Sequence, residues 1–125
     1  MNMDKYIARL EAAMRAFSGY DEKGKRELEL AGKAFFKAWM TRHGLKGKVT
    51  YNPAGVAVAG DIGCQGDGWE ASILHWGIGG EPVMFRTRKQ VAGKYSSSGL
   101  GMNHWFSLQR FADITPADIG VKENS

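Results

Sequence analysis

The hydrophobic period of this chain changes once, near residue 45, and that change constrains the fold more than any other feature of the sequence. From Asp4 to about Ser18, the residues Ile7, Leu10, Met14 and Phe17 recur at the 3, 4, 3 spacing that lines up one face of a 3.6-residue helix. From about 22 to 43, Leu28, Ala31, Phe35, Ala38 and Trp39 form a second stripe, facing away from Lys25, Glu29, Lys33 and Lys37. Asp4 is the expected cap of the first helix, Ser18-Gly19-Tyr20-Asp21 supplies a terminator and a second cap, and His43-Gly44 a glycine-ended stop. Glu29 and Lys33 stand at the favourable i, i+4 spacing. The two helices are expected to form an antiparallel hairpin.

After Lys48 the pattern alternates. Val49-Thr50-Tyr51 reads as a strand, Asn52-Pro53-Ala54-Gly55 as a turn and Val56-Ala57-Val58-Ala59 as a second strand. Asp61 to Gly68 has the composition of a glycine-rich loop. Trp69 to Ile78 reads as a strand with Trp69, Ala71, Ile73 and His75 on one side, Gly79-Gly80-Glu81-Pro82 as a turn, and Val83 to Lys89 as a strand that buries Phe85 and exposes Arg86 and Arg88. Residues 90 to 101 have loop composition and are long for a connection without structure of its own. Asn103 to Phe111 is read as a closing strand, although nothing in it forbids a helix, and Thr115-Pro116 as the start of at most one helical turn. Segregated helices followed by strands give an α+β class, with the N-terminal hairpin (about 4–43) packed on a mainly antiparallel sheet of four or five strands (about 48–111) and a short C-terminal tail.

At 125 residues, 43% hydrophobic and 24% charged, the chain is expected to be a single domain, 1–125, neither disordered nor membrane-embedded. No window approaches the roughly 20 apolar residues of a spanning helix, and the first residues lack the apolar core of a secretory signal, so a cytoplasmic location is expected. Cys64 is the only cysteine, which rules out an internal disulfide and suits a reducing compartment.

The motifs of phosphate and dinucleotide binding fail on spacing. Gly93-Lys94 has Arg88 where a phosphate loop needs glycine, and Gly99-Leu100-Gly101 is followed three residues later by His104. Asp61, Cys64 and Asp67 with His75 and His104 offer metal donors in no established ligand spacing, so no metal and no cofactor is expected. Cys64 with His75 or His104, or a serine of 96–98 with His104, can be drawn as dyads whose geometry a sequence does not supply; a small enzyme using Cys64 or His104 is the least favoured reading.

Charge is distributed in blocks. Residues 51–81 carry Asp61, Asp67, Glu70 and Glu81 with no Lys or Arg; residues 82–112 carry Arg86, Arg88, Lys89, Lys94 and Arg110 with no carboxylate. A sheet that folds one block beside the other would cancel part of the field. Cations mixed with Tyr95, Trp105 and Phe106 are what a surface for single strands contains, since cations neutralise phosphates and aromatic faces stack on unpaired bases. The run from Phe85-Arg86-Thr87-Arg88 through Gly99-Leu100-Gly101-Met102-Asn103-His104-Trp105 resembles small accessory proteins of phages and plasmids, over about twenty residues and without a defined motif, so it transfers no functional residue.

The leading expectation is therefore a non-enzymatic, mobile-element accessory factor contacting nucleic acid or a nucleic-acid-handling complex through Arg86, Arg88, Lys89, Lys94, Tyr95 and Trp105. The alternative is a protein-protein antagonist or adaptor, such as a phage-encoded inhibitor of a host nuclease defence system. Complementary charge blocks also allow self-association as a homodimer.

Overall fold

A computed structural model describes residues 2–17, 22–52, 61–75, 83–91, 94–97 and 104–119. The expected terminator and cap at 18–21, the turn and strand at 53–59, the end of the strand at 76–78 and the turn at 79–82 lie outside these residues.

Helix α1 spans Asp4–Ala16 and α2 spans Glu22–Arg42. In α1 the stripe residues Ile7, Leu10 and Met14 are buried, while Phe17 follows the last helical residue in extended conformation and packs partly buried against the core; in α2 Leu28, Ala31, Phe35, Ala38 and Trp39 are buried. The start of α1 corrects one expectation. Asp4 is the first helical residue, and its N–H donates to Asn2 Oδ1 at 2.7 Å, so Asn2 supplies the side-chain acceptor there. Helix α1 packs on α2, with Arg9 Nε 2.8 Å from Glu27 Oε1 between them. At the far end α2 stops before Gly44, whose φ of 66° a side chain would resist.

The sheet is antiparallel throughout. Its strands β1 (Gly47–Asn52), β2 (Asp61–Gly66), β3 (Trp69–His75) and β4 (Val83–Val91) lie in chain order, and β5 (Lys94–Ser97) and β6 (His104–Phe106) both pair with β4. Ser97 stands opposite Arg88 and His104 opposite Phe85, so the two short strands share one edge of β4.

Three stretches differ from their sequence reading. Asp61–Gly66 is an interior strand rather than a loop, because Ile62 and Cys64 alternate into the core while β1 and β3 satisfy its backbone on both sides. Its glycines mark tight packing; only Gly68, at φ 80°, belongs to the turn into β3. Within the expected loop of 90–101, residues 90–91 continue β4 and 94–97 form β5, so backbone pairing orders a segment whose composition reads as a connection. The closing strand read at Asn103–Phe111 divides over its described residues, 104–111: β6 ends at Phe106, and Ser107 then caps the short helix α3 (Leu108–Ala112) by accepting from Arg110 N at 3.1 Å. Pro116–Ile119 forms a single 3-10 turn, in keeping with the helix start read at Thr115-Pro116.

The core lies between the helices and one face of the sheet. Trp69, Ala71 and Ile73 of β3 and Phe85 and Thr87 of β4 point into it, as do Ile62 and Cys64. Phe111 of α3 stacks on Phe85 at 3.9 Å between ring centroids and on Trp39 of α2 at 5.2 Å. Mid-helix Gly32 allows α2 to approach β2 closely, since a Cβ there would lie 2.8 Å from Ile62 Cγ2. Lys33, paired with Glu29 at 2.6 Å as the spacing implies, also reaches over the ring of Tyr51 on β1.

Candidate nucleic-acid interface

Strand alternation puts the residues between the core positions of β3 and β4 on the opposite face of the sheet. Those are Glu70 and Ser72 on β3 and Arg86 and Arg88 on β4, and the register sets Glu70 opposite Arg88 and Ser72 opposite Arg86. The acidic and basic blocks of the sequence therefore meet at this point. Glu70 Oε1 lies 2.9 Å from Arg88 Nε and 3.9 Å from Arg86 Nε. The expected exposure of the two arginines is accordingly corrected: their side chains are 25% and 27% exposed, because each lies along the sheet toward a shared carboxylate. Among the described residues, one carboxylate stands against two guanidinium groups, a net positive charge. Arg86 Nε and Ser72 Oγ are buried atoms with no hydrogen-bond partner among the described residues.

Trp105 of β6 stands opposite Met84 in the register, in phase with Arg86 and Arg88, and is 48% exposed. Its neighbour Phe106 turns the other way and packs near Phe85 at 6.5 Å, so the adjacent pair of aromatics divides between surface and core.

The remaining sequence candidates are placed by backbone register. Tyr95 pairs with Gln90, in phase with the arginines. Lys89, opposite Trp69 and Ser96, and Lys94, opposite Val91, occupy positions in phase with Phe85 and Thr87. Alternation thus divides the six named residues between two phases.

The outward row continues across the sheet. Arg88 is opposite Glu70, Glu70 opposite Gln65, and Gln65 opposite Lys48; beside it Arg86, Ser72, Gly63 and Thr50 form a second row. At its β1 end, Lys46, Gly47, Lys48, Gln65, Gly66 and Asp67 line an open hollow of about 350 Å³. Sequence reasoning missed Glu70, Ser72, Gln65 and Lys48. The alternation of Glu70 and Ser72 with core residues is legible in the sequence, whereas Gln65 lies in the stretch that reads as a loop; all four acquire meaning only through the register.

The nucleophile reading of Cys64 does not survive its position. The thiol is 1% exposed in the core, opposite Val49 and Ala71, and burial pushes its pKa far up, so it does not supply thiolate at neutral pH. His75 is opposite Met84 and His104 opposite Phe85, neither in register with Cys64. Among the described residues no group of three or more His, Cys, Asp or Glu side chains is arranged to hold a metal ion, and no helix is long and apolar enough to cross a membrane. No family model, no curated protein and no solved structure matches this chain.

Proposed function

We propose that the chain is a non-enzymatic binding protein that contacts nucleic acid through the outward face of β4 and β6. The observation that carries the reading is the exposed Trp105 in phase with Arg86 and Arg88 on one sheet face. A guanidinium offers its donors to phosphate in a planar fork, and an exposed indole supplies a stacking surface worth about 1–3 kcal/mol per base. Glu70 tempers the arginines without neutralising both.

The test is fluorescence-detected binding to short DNA and RNA at about 50 and 200 mM salt, a range over which phosphate contacts change affinity steeply. Binding that weakens with salt, and that the Arg86→Ala, Arg88→Ala double substitution reduces, supports the reading. Glu70→Gln, which removes the competing anion while keeping its shape, is expected to tighten binding. Absence of binding at low salt overturns the reading and makes a protein partner, as for an antagonist of a host nuclease system, the class to pursue by co-purification.

A further inference from the structure

We infer that the nucleic acid this face takes is single-stranded, and that the strand crosses the sheet from Trp105 on β6 to a second phosphate contact at Lys46 and Lys48 beside β1. The inference rests on the function proposed above and goes beyond it by naming the form of the ligand, its path and two further binding residues.

The path follows from the register. Between β6 and β1 lie β4, β3 and β2, so the crossing covers four inter-strand steps of about 4.8 Å, roughly 19 Å. Along it stand Arg86 and Arg88, then Ser72 and Glu70, then Gly63 and Gln65, then Thr50 and Lys48. Gly63 is itself buried, since even a Cβ there would collide with the Ala71 carbonyl oxygen and with Ser72, so the surface a strand meets in the middle of the face is the half-buried side chains of Thr50, Gln65, Glu70 and Ser72. The hollow at the end of the crossing has Lys46 and Lys48 on its rim, both exposed. Among the described residues, Arg86 and Arg88 against Glu70 at one end and Lys46 and Lys48 against Asp67 at the other each sum to a net positive charge, which favours a phosphate at both ends of the path.

The form of the ligand follows from the two ends. Trp105 is about half-exposed on a short strand of the sheet, where a base can lie on the exposed part of the indole only if it has left its own stack. A duplex keeps its bases stacked inward and so offers the indole of Trp105 no free base face. A flexible single strand can set a base on Trp105 and carry its phosphates over the arginines to the lysines. The distance suits a short segment on the order of 4 nucleotides, the lower end of the site sizes that other single-strand-binding folds cover.

The experiment compares a ten-residue oligothymidylate with a duplex of equal length, using the intact chain and its Lys46→Ala, Lys48→Ala variant. Lys37→Ala, on the exposed side of α2, serves as the control. The expected result is preference for the single strand, an approximately tenfold loss in the double lysine variant at low salt, and a salt slope shallower by about 1.4, since each phosphate contact on a single strand contributes about 0.7. Lys37→Ala leaves both unchanged. Equal binding of duplex and single strand overturns the inference but leaves the proposed function standing. Single-strand binding indifferent to Lys46 and Lys48 overturns the path in the same way. Failure to bind either oligonucleotide overturns both.

Discussion

Glu70 faces two guanidinium groups with one carboxylate, so a substitution there changes the charge of the outward face by a full unit without touching the core. A second titratable group matters to stability rather than to binding. His43 is half-buried at the end of α2, with Nε2 3.1 Å from the Ala112 carbonyl oxygen and its ring 5.2 Å from that of Trp39. Burial holds its pKa below the ordinary histidine value, as does nearby Arg42, while the Ala112 carbonyl and Asp113 pull it upward. In the unfolded chain the imidazole regains its usual pKa of about 6.5. Between the two values the unfolded state binds more protons, so His43 contributes stability that is complete above about pH 6.5 and is lost as pH falls toward the folded value. Urea midpoints measured at pH 7.5 and 5.5 are expected to fall further in the wild type than in His43→Gln, which keeps a donor near Ala112. Equal falls in both proteins would refute the assignment.

At the scale of elements, the segment after β6 shows how a local side chain decides between two periodicities. Trp105, Ser107, Gln109 and Phe111 fit the alternation of a strand, while Leu108, Phe111 and Ala112 equally fit one side of a helical turn. Ser107 resolves the choice through its extended backbone and its hydroxyl acceptance from Arg110 N, which ends β6 and opens α3. Removing that acceptor with Ser107→Ala is expected to cost about 1 kcal/mol, read as a lowered urea midpoint. An unchanged midpoint would mean that burial of Leu108 and Phe111 holds α3 without its cap. Strand β2 has no comparable local signal. Gly63 and Gly66 lower its intrinsic preference, and it becomes a strand because β1 and β3 pair with both of its edges.

For the whole molecule, Phe111 is the side chain that joins the layers. It contacts Phe35, Phe36 and Trp39 of α2 and Phe85 of β4, and it is itself fully buried. Phe111→Ala is expected to destabilise the protein by about 3–5 kcal/mol through lost burial and the cavity left behind. Because the aromatic cluster is shared by helices and sheet, tryptophan emission and far-ultraviolet circular dichroism should report one coincident unfolding transition in the wild type. Separate midpoints would show that helices and sheet unfold independently.

The sequence by itself determined the two helices, their buried faces, the outward phase of Arg86 and Arg88, the burial of Phe85 and the α+β class, because each rests on a periodicity read within one short segment. Tertiary structure decided the rest. It made strands of Asp61–Gly66 and Lys94–Ser97, put Glu70 between the arginines, separated Trp105 from Phe106, and aligned Lys48 with Arg88 across the sheet. Those outcomes depend on which strands pair and in what register, and register is fixed by contacts between segments far apart in the chain.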